Sequence, residues 1–301
     1  QFSVTEANRY AGGFQDPARM TLNFAGVTNA GSDQNNEIII RGNSPKGLLW
    51  RMEGIEIPNP NHFGDGQGST SGIISMINST SLANSDFMSG AFPAEYGNAS
   101  SGVFDLRFRR GNNEKREWMA QLSVVGIDVA SEGPIGKNGG SYRAGARYST
   151  LELLLKSGLI NINSGNFKPA YRDLNYTIDI PLKKAGLLTF WGLAGANDTE
   201  DEKLTTKDYS NSNMGAFGLS YKLPFRKGHL STVLALTTES ANVSKIEIIS
   251  NAWKTTRDQL YRYPNVRLNA TYVHKWNASL TAKFGVNISQ LSFELKDDRW
   301  D

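Results

Sequence analysis

The residues able to do chemistry are few and scattered. The chain carries three histidines, His62, His229 and His274, and none has a second histidine four residues on, the spacing at which a helix presents two metal ligands on one face. Cysteine is absent, which excludes a thiol nucleophile, thiolate metal sites and a disulfide scaffold. Gly64 to Gly72 (GDGQGSTSG) is rich in glycine but lacks the Lys-Ser/Thr pair that seats phosphate in a P-loop. Thr70 stands where a nucleophile elbow needs serine. The segment reads as a loop. Asn197 to Lys207 (NDTEDEKLTTK) is acidic, yet it lacks the ligand register of an EF-hand and reads as a solvated loop. Asn78-Ser79-Thr80 and Asn287-Ile288-Ser289 match the glycosylation triplet, which matters only in a eukaryotic secreted chain. The expectation is a protein that is not an enzyme and holds no cofactor or metal.

Composition narrows the classes further. Lys and Arg number 32 against 29 Asp and Glu over 301 residues, a formal charge of +3. That is too even for a nucleic-acid binder, which needs a concentrated basic excess. Aromatics at 10% and apolar residues at 39% are enough for a folded core. No apolar run is long enough for a membrane helix, but a membrane barrel stays open, because its strands alternate and keep mean hydropathy low.

The texture changes near Gly111 to Glu117. Before it lie short mixed signals. Asp16-Pro17 predicts a helix start, with the helix running to about Phe24. Strands are predicted at Glu37 to Arg41, Leu48 to Ile57, Asp86 to Phe92 and Val103 to Arg109, and Gly72 to Asn78 is read as one or two helical turns. After the change, apolar and polar residues alternate in long runs. Ala278 to Ser289 is the clearest: Leu280, Phe284, Val286 and Ile288 share one face, and Ser279, Lys283 and Asn287 the other. About nine such strands are expected. Short connections at Gly136–Gly140, Lys183–Gly186, Phe225–Gly228 and Lys275–Asn277 alternate with long polar ones at Glu152–Lys168, Asn197–Ser212 and about Lys245–Arg257. Tight turns at one end and long loops at the other fit an outer-membrane barrel, as do aromatics near strand ends. A soluble β-sandwich alternates too, but its strands are ordinarily shorter.

Two motifs carry a family resemblance. Ile40-Arg41-Gly42 is followed by Met52-Glu53-Gly54-Ile55-Glu56-Ile57-Pro58, and Ser89-Gly90-Ala91-Phe92-Pro93-Ala94-Glu95-Tyr96-Gly97 leads to Gly102-Val103-Phe104-Asp105-Leu106. In this order they resemble the "IRG", "DGVP" and "GPxSAxYG" stretches of the plug of TonB-dependent outer-membrane receptors. Asp16-Pro17-Ala18-Arg19, Trp50-Arg51-Met52-Glu53-Gly54, Pro58-Asn59-Pro60-Asn61-His62-Phe63 and Glu132-Gly133-Pro134 resemble the Bacteroidota branch, which carries a carboxypeptidase-regulatory-like domain ahead of the plug. Two positions depart from the pattern: Ser89 stands for the family's second arginine, and Glu53 for the Asp of "DG".

The resemblance implies an α+β plug domain at 1–115 followed at 116–301 by antiparallel transmembrane β-barrel strands. About nine of an expected 22 strands would be present, an incomplete barrel. Size agrees: a unit of ~115 residues is roughly 34 Å across. Nine tilted strands would enclose only about 19 Å, whereas 22 would enclose about 47 Å. The implied plug-motif residues are Arg41, Gly42, Glu53, Gly54, Pro93, Tyr96, Gly97 and Gly102. Arg41 is expected to pair with a carboxylate on the barrel wall, against a solvated or loop-bonded role. Asn59, Asn61, His62, Phe63, Asp65 and Gln67 are the candidate ligand-facing plug loops, against plain turn chemistry. The implied activity is import of a specific substrate across the bacterial outer membrane, energised through the TonB complex by a segment upstream of Gln1. The implied partners are outer-membrane lipid and a surface lipoprotein, with no nucleic acid. Such a plug needs wet polar contacts, and Arg143, Arg147, Asp179 and Lys283 are expected to face it. The alternatives are a receptor-like barrel serving as a scaffold in an outer-membrane complex, and a soluble β-sandwich binding module.

Overall fold

The computed structural model of the chain describes residues 16–30, 35–64, 68–123, 126–150, 154, 157–158 and 168–300. Asp16 starts the first helix: its carboxylate accepts the Ala18 N–H, and Pro17 takes the first helical position. The helix is shorter than predicted. α1 spans Pro17–Met20 and passes into a 3-10 turn at Thr21–Asn23, where the Thr21 hydroxyl donates back to the Ala18 carbonyl.

Three small sheets follow. β1 (Val27–Asn29) pairs with β2 (Ile38–Ile40). The predicted strand from Leu48 to Ile57 is instead a hairpin, β3 (Leu48–Met52) and β4 (Ile55–Glu56). It folds at Glu53-Gly54, where both residues have positive φ, 53° and 84°. Two left-handed residues make the turn whose twist matches paired strands, and glycine takes the second position at no steric cost. β5 (Asn61–His62) pairs with β6 (Ile74–Ser75), so the helical reading of Gly72–Asn78 is corrected to a strand. The reason is tertiary: Asp16 accepts the Ser75 N–H and Arg147 donates to the Ser75 carbonyl, so neither group is left for a helix. β7 (Asp86–Met88) and β8 (Gly102–Leu106) complete a four-stranded sheet in the order β4-β3-β8-β7, with β3 and β8 parallel. Gly102 has no side chain because Ile40 packs there: a Cβ would lie 2.2 Å from Ile40 Cδ1.

The rest is one large antiparallel sheet: β9 (Glu117–Leu122), β10 (Ile127–Ile135), β11 (Gly140–Tyr148), β12 (Lys168–Pro181), β13 (Leu187–Glu202), β14 (Thr206–Phe225), β15 (Gly228–Ile249), β16 (Ala252–Arg262), β17 (Asn265–Lys275), β18 (Thr281–Leu291) and β19 (Glu294–Arg299). β17 bonds the first half of β15 and β16 the second half, so the two form one line interrupted at Tyr263-Pro264, where proline has no N–H for the ladder. β18 and β19 continue beside them in the same way. Among the described residues, the sheet does not close on itself.

Two predicted loops are corrected. Asn197–Ser212 and Lys245–Arg257 are not long connections; β13, β14, β15 and β16 run through them as paired strands, turning only at 203–205 and at Ser250-Asn251. On β13 both faces are polar there, and on β15 Val243, Ile246, Ile248 and Ile249 fall on both faces, so no clean alternation reveals a strand. The connection predicted at Glu152–Lys168 lies almost wholly outside the described residues.

The two faces of the sheet are inverted relative to a soluble protein. On β12, Asp173, Asn175, Thr177 and Asp179 are buried against the amino-terminal segment, while Leu174 and Ile180 point away and are exposed. Arg143 and Arg147 on β11 are buried, and Tyr148 is exposed. Leu234 and Leu236 on β15, Phe217 and Leu219 on β14, and Phe284, Val286 and Ile288 on β18 continue the outward apolar band. At ~3.3 Å per residue and a ~45° tilt, the 22 residues of β15 climb about 51 Å, roughly twice the ~25 Å of an apolar membrane band. The exposed apolar pair Leu234 and Leu236 lies at about two-fifths of that height, and Ile248 is exposed on the same face near the hairpin tip.

Candidate functional site

The chemistry of the molecule is concentrated where the amino-terminal segment meets the polar face of the large sheet. Toward the long-hairpin end, β5 presents His62 to β12. His62 is fully buried and its Nε2 hydrogen-bonds Asp173 Oδ1. The second oxygen of Asp173 accepts from Arg147 Nε at 2.7 Å and from its Nη2. Arg147 also donates to the Ser75 carbonyl, and its guanidinium stands 5.2 Å from the Tyr171 ring centre. Asn197 Oδ1 accepts the Phe63 N–H at 3.3 Å and the Ser212 hydroxyl at 2.7 Å. One carboxylate thus binds a side chain from each side of the contact, His62 of the amino-terminal unit and Arg147 of the sheet.

The Asp16 carboxylate organises the segment behind this cluster. It accepts N–H groups from Ala18 and Ser75 and the Asn36 amide, and burial raises its pKa against those bonds. Further along the contact, Asn78 donates to Asp128 at 3.0 Å and Arg143 to the Thr80 carbonyl at 3.1 Å. Glu132 lies between Arg109, at 2.9 Å, and Arg143, at 3.7 Å. At the far side, Arg267 pairs with Glu56 at 3.1 Å and Lys283 pairs with Glu95.

The contact is not wet throughout, which corrects the expectation of polar contacts alone. Trp191, Leu193, Met214, Ala216, Val233 and Ala235 from the sheet join one buried cluster with Met20, Ile38, Met76 and Phe108. Trp191 stands 6.3 Å from Phe108, and its indole N–H donates to Ser220. Gly195 lets Met76 approach: a Cβ there would fall 2.4 Å from the sulfur.

The β3–β4 hairpin borders a cleft of about 810 Å³ against β13, β14, β15, β17 and β18. Glu53 Oε1 accepts the Phe108 N–H at 2.7 Å, and burial pushes its carboxyl up to about 7. The Tyr96 hydroxyl donates to Asp105 at 2.8 Å, and Arg51 lies over the Tyr96 ring at 4.7 Å. Burial and Asp105 raise the Tyr96 pKa. Arg51 Nη1 and Asp105 Oδ1 are buried and have no hydrogen-bond partner among the described residues.

The predicted residues fare unevenly. Arg41 is exposed, at φ 51°, and among the described residues it makes no ion pair; it turns the chain with Gly42 instead. Arg109 and Arg110 instead pair with the sheet carboxylates Glu132, at 2.9 Å, and Asp179, at 3.8 Å, and Arg143, Arg147 and Arg267 reach across from the sheet. Pro93 accepts the Tyr96 N–H and Gly97 is exposed on the same turn. Asn61, His62 and Phe63 were expected on a ligand-facing loop. They are buried against the sheet, because His62 and the Phe63 N–H find their partners there. Asn59 is half-buried and donates to the Ser69 and Ser71 carbonyls. Asp65 and Gln67 lie outside the described residues. Asp173 was not singled out from the sequence, although its inward register beside Asp179 was available as the signal. Among the described residues, no three His, Asp or Glu side chains come together as metal ligands.

No family model and no curated protein matches the chain. Solved structures do. The ferric preacinetobactin receptor BauA of Acinetobacter baumannii superimposes with a TM-score of 0.61 at 11% identity, over 95% of this chain and 45% of that one. The alcaligin outer-membrane receptor FauA of Bordetella pertussis gives 0.60 at 11% identity, over 95% and 54%. The ferric enterobactin receptor PfeA of Pseudomonas aeruginosa gives 0.53 at 13% identity, over 97% and 48%. The chain therefore shares its fold with outer-membrane siderophore receptors, and it spans about half the length of those it matches.

Proposed function

We propose that the chain is part of a TonB-dependent receptor that imports a specific substrate across the bacterial outer membrane. In this reading residues 1–115 are the plug and residues 116–301 the first strands of a transmembrane barrel. The carrying observation is the inverted sheet. Its outward residues, Leu174, Phe217, Leu236 and Phe284 among them, are apolar and exposed, whereas its inner face holds buried charge against a globular unit. A water-soluble sandwich buries its apolar alternates; a membrane barrel turns them to lipid. The paired carboxylates and arginines of the inner face suit a unit that must be held in register and then moved, since each bond can be exchanged for one to water.

The wording of the motifs favours the Bacteroidota branch, with a regulatory domain and TonB-binding segment upstream and a surface lipoprotein as partner. The solved structures are named for siderophores, so ferric siderophores are the first cargo to assay, followed by glycans and peptides. Deleting the gene and measuring growth and uptake on each cargo tests the reading. Loss of uptake of one cargo is the expected result. Unchanged uptake of all, together with loss of a co-purifying outer-membrane complex, would favour a scaffold. Recovery of the protein from the soluble fraction without detergent would overturn both.

A further inference from the structure

The two ends of the large sheet differ in how they treat charge. At the long-hairpin end, bases sit beside acids: Lys168 pairs with Glu200 at 3.2 Å, Lys203 with Asp201 at 2.9 Å, Lys245 with Glu247 at 2.8 Å and Arg257 with Asp297 at 3.2 Å. At the tight-turn end the pattern reverses. The β10–β11 turn holds Lys137, the β12–β13 turn Lys183 and Lys184, the β14–β15 turn Arg226 and Lys227, and β17 ends at Lys275. All six are exposed, no acidic residue occurs in these turns, and none of the six forms an ion pair among the described residues. Glu114 and Glu117, in the link to β9, are accompanied there by Lys115 and Arg116.

The neighbours of these turns say what such a rim would meet. Phe225, Tyr272, Trp276 and Phe284 are exposed on the outward face beside them and are joined edge to face: Phe225 stands 6.2 Å from Tyr272, and Trp276 6.5 Å from Phe284. The outward apolar band begins directly above. Aromatic rings followed by long basic side chains mark the depth at which hydrocarbon gives way to headgroups. Basic side chains at that depth, with no protein acid to neutralise them, attract a surface of negative charge.

We propose that this turn-side rim is a docking surface for anionic phospholipid headgroups of the leaflet it enters. The proposal rests on the reading that the sheet faces lipid. It goes beyond that reading, because a lipid-facing sheet needs no preference among headgroups. The rim recruits anionic lipid, fixes the depth of the sheet through it, and leaves the acid-balanced hairpin end without that preference.

The full-length protein in nanodiscs of mixed phosphatidylethanolamine and phosphatidylglycerol tests this, with retained lipid counted by native mass spectrometry. Phosphatidylglycerol enrichment of roughly fivefold or more at low salt is expected, falling as salt screens the rim. A variant with all six residues changed to serine brings the ratio near unity, and Arg226→Ser/Lys227→Ser alone lowers it part of the way. An unenriched wild type, an enrichment unchanged in the sixfold variant, or an acidic soluble protein retained on the rim in place of lipid would each overturn the proposal. Failure to enter discs of any composition would instead overturn the lipid-facing sheet itself, and the rim with it.

Discussion

His62 and Asp173 lie 111 residues apart in the chain, one on the short strand β5 and one on the long strand β12, and share a fully buried hydrogen bond. Arg147 binds the other oxygen of the same carboxylate. Asp173 is therefore one of the points at which the amino-terminal unit is tied to the sheet, and one that is buried. Asp173→Ala removes the carboxylate bound to the buried Arg147 and leaves His62 Nε2 without its partner, while Nδ1 keeps Asn197, a loss of about 3–5 kcal/mol. Hydrogen exchange across residues 61–75 reports it: faster exchange there is expected, with the strands beyond β14 unchanged. Asp173→Asn, which keeps the shape and loses the charge, falls between the two.

Glu53 gives the molecule a pH dependence of the less common sign. Folding lifts its carboxyl from 4.5 to about 7, chiefly by burial. The folded chain therefore holds this proton more tightly than the unfolded chain. Its contribution is most favourable below about pH 4.5, falls as pH rises toward 7, and is constant above that. The full difference is at most about 3 kcal/mol. Glu53→Gln keeps an acceptor for the Phe108 N–H and removes the ionisation. Denaturation at a series of pH values is expected to show that wild type loses stability relative to the variant between pH 4.5 and 7. Parallel curves would mean that the carboxyl is solvated.

These two residues also show what the sequence could and could not reveal. The strand around Phe284 is legible because its two faces meet different media, and alternation records that difference. The upper halves of β13 and β15 are not legible, because β13 is polar on both faces there and the apolar residues of β15 fall on both faces, so no period survives. Glu53-Gly54 is visible as a motif, yet the hairpin it forms depends on two positive φ values, which hydropathy does not encode. His62 looks like a polar loop residue until Asp173 is placed beside it. That pairing is set by the register of β12 against β11 and by the fold of β5, both long-range facts. The buried Trp191–Phe108 contact is hidden for the same reason: nothing in the local pattern names the partner of an inward tryptophan.

Gly195 is required by packing rather than by backbone angle. A Cβ at this position would meet the Met76 sulfur at 2.4 Å and Asp173 Oδ1 at 3.0 Å. Gly195→Val should push Met76 back and disturb the His62–Asp173 bond, at a cost of about 1–3 kcal/mol. Met76→Ala opens room for the new side chain, so the double variant is expected to recover part of the loss. A double-mutant cycle in denaturant measures the coupling, and strict additivity would show that the two sites do not touch.

Leu236 and Asn242 stand on the same outward face of β15, six residues apart, one within the apolar band and one above it. If the band lies in lipid, arginine at the two positions meets two different solvents. Leu236→Arg is expected to cost about 2–4 kcal/mol of stability in the bilayer, and Asn242→Arg about 0–1 kcal/mol. Neither side chain touches the amino-terminal unit, so the difference between them reports depth and not packing. Unfolding from lipid vesicles in a denaturant series measures it. Equal costs at the two positions would place both in water and remove the physical basis for a membrane-spanning sheet.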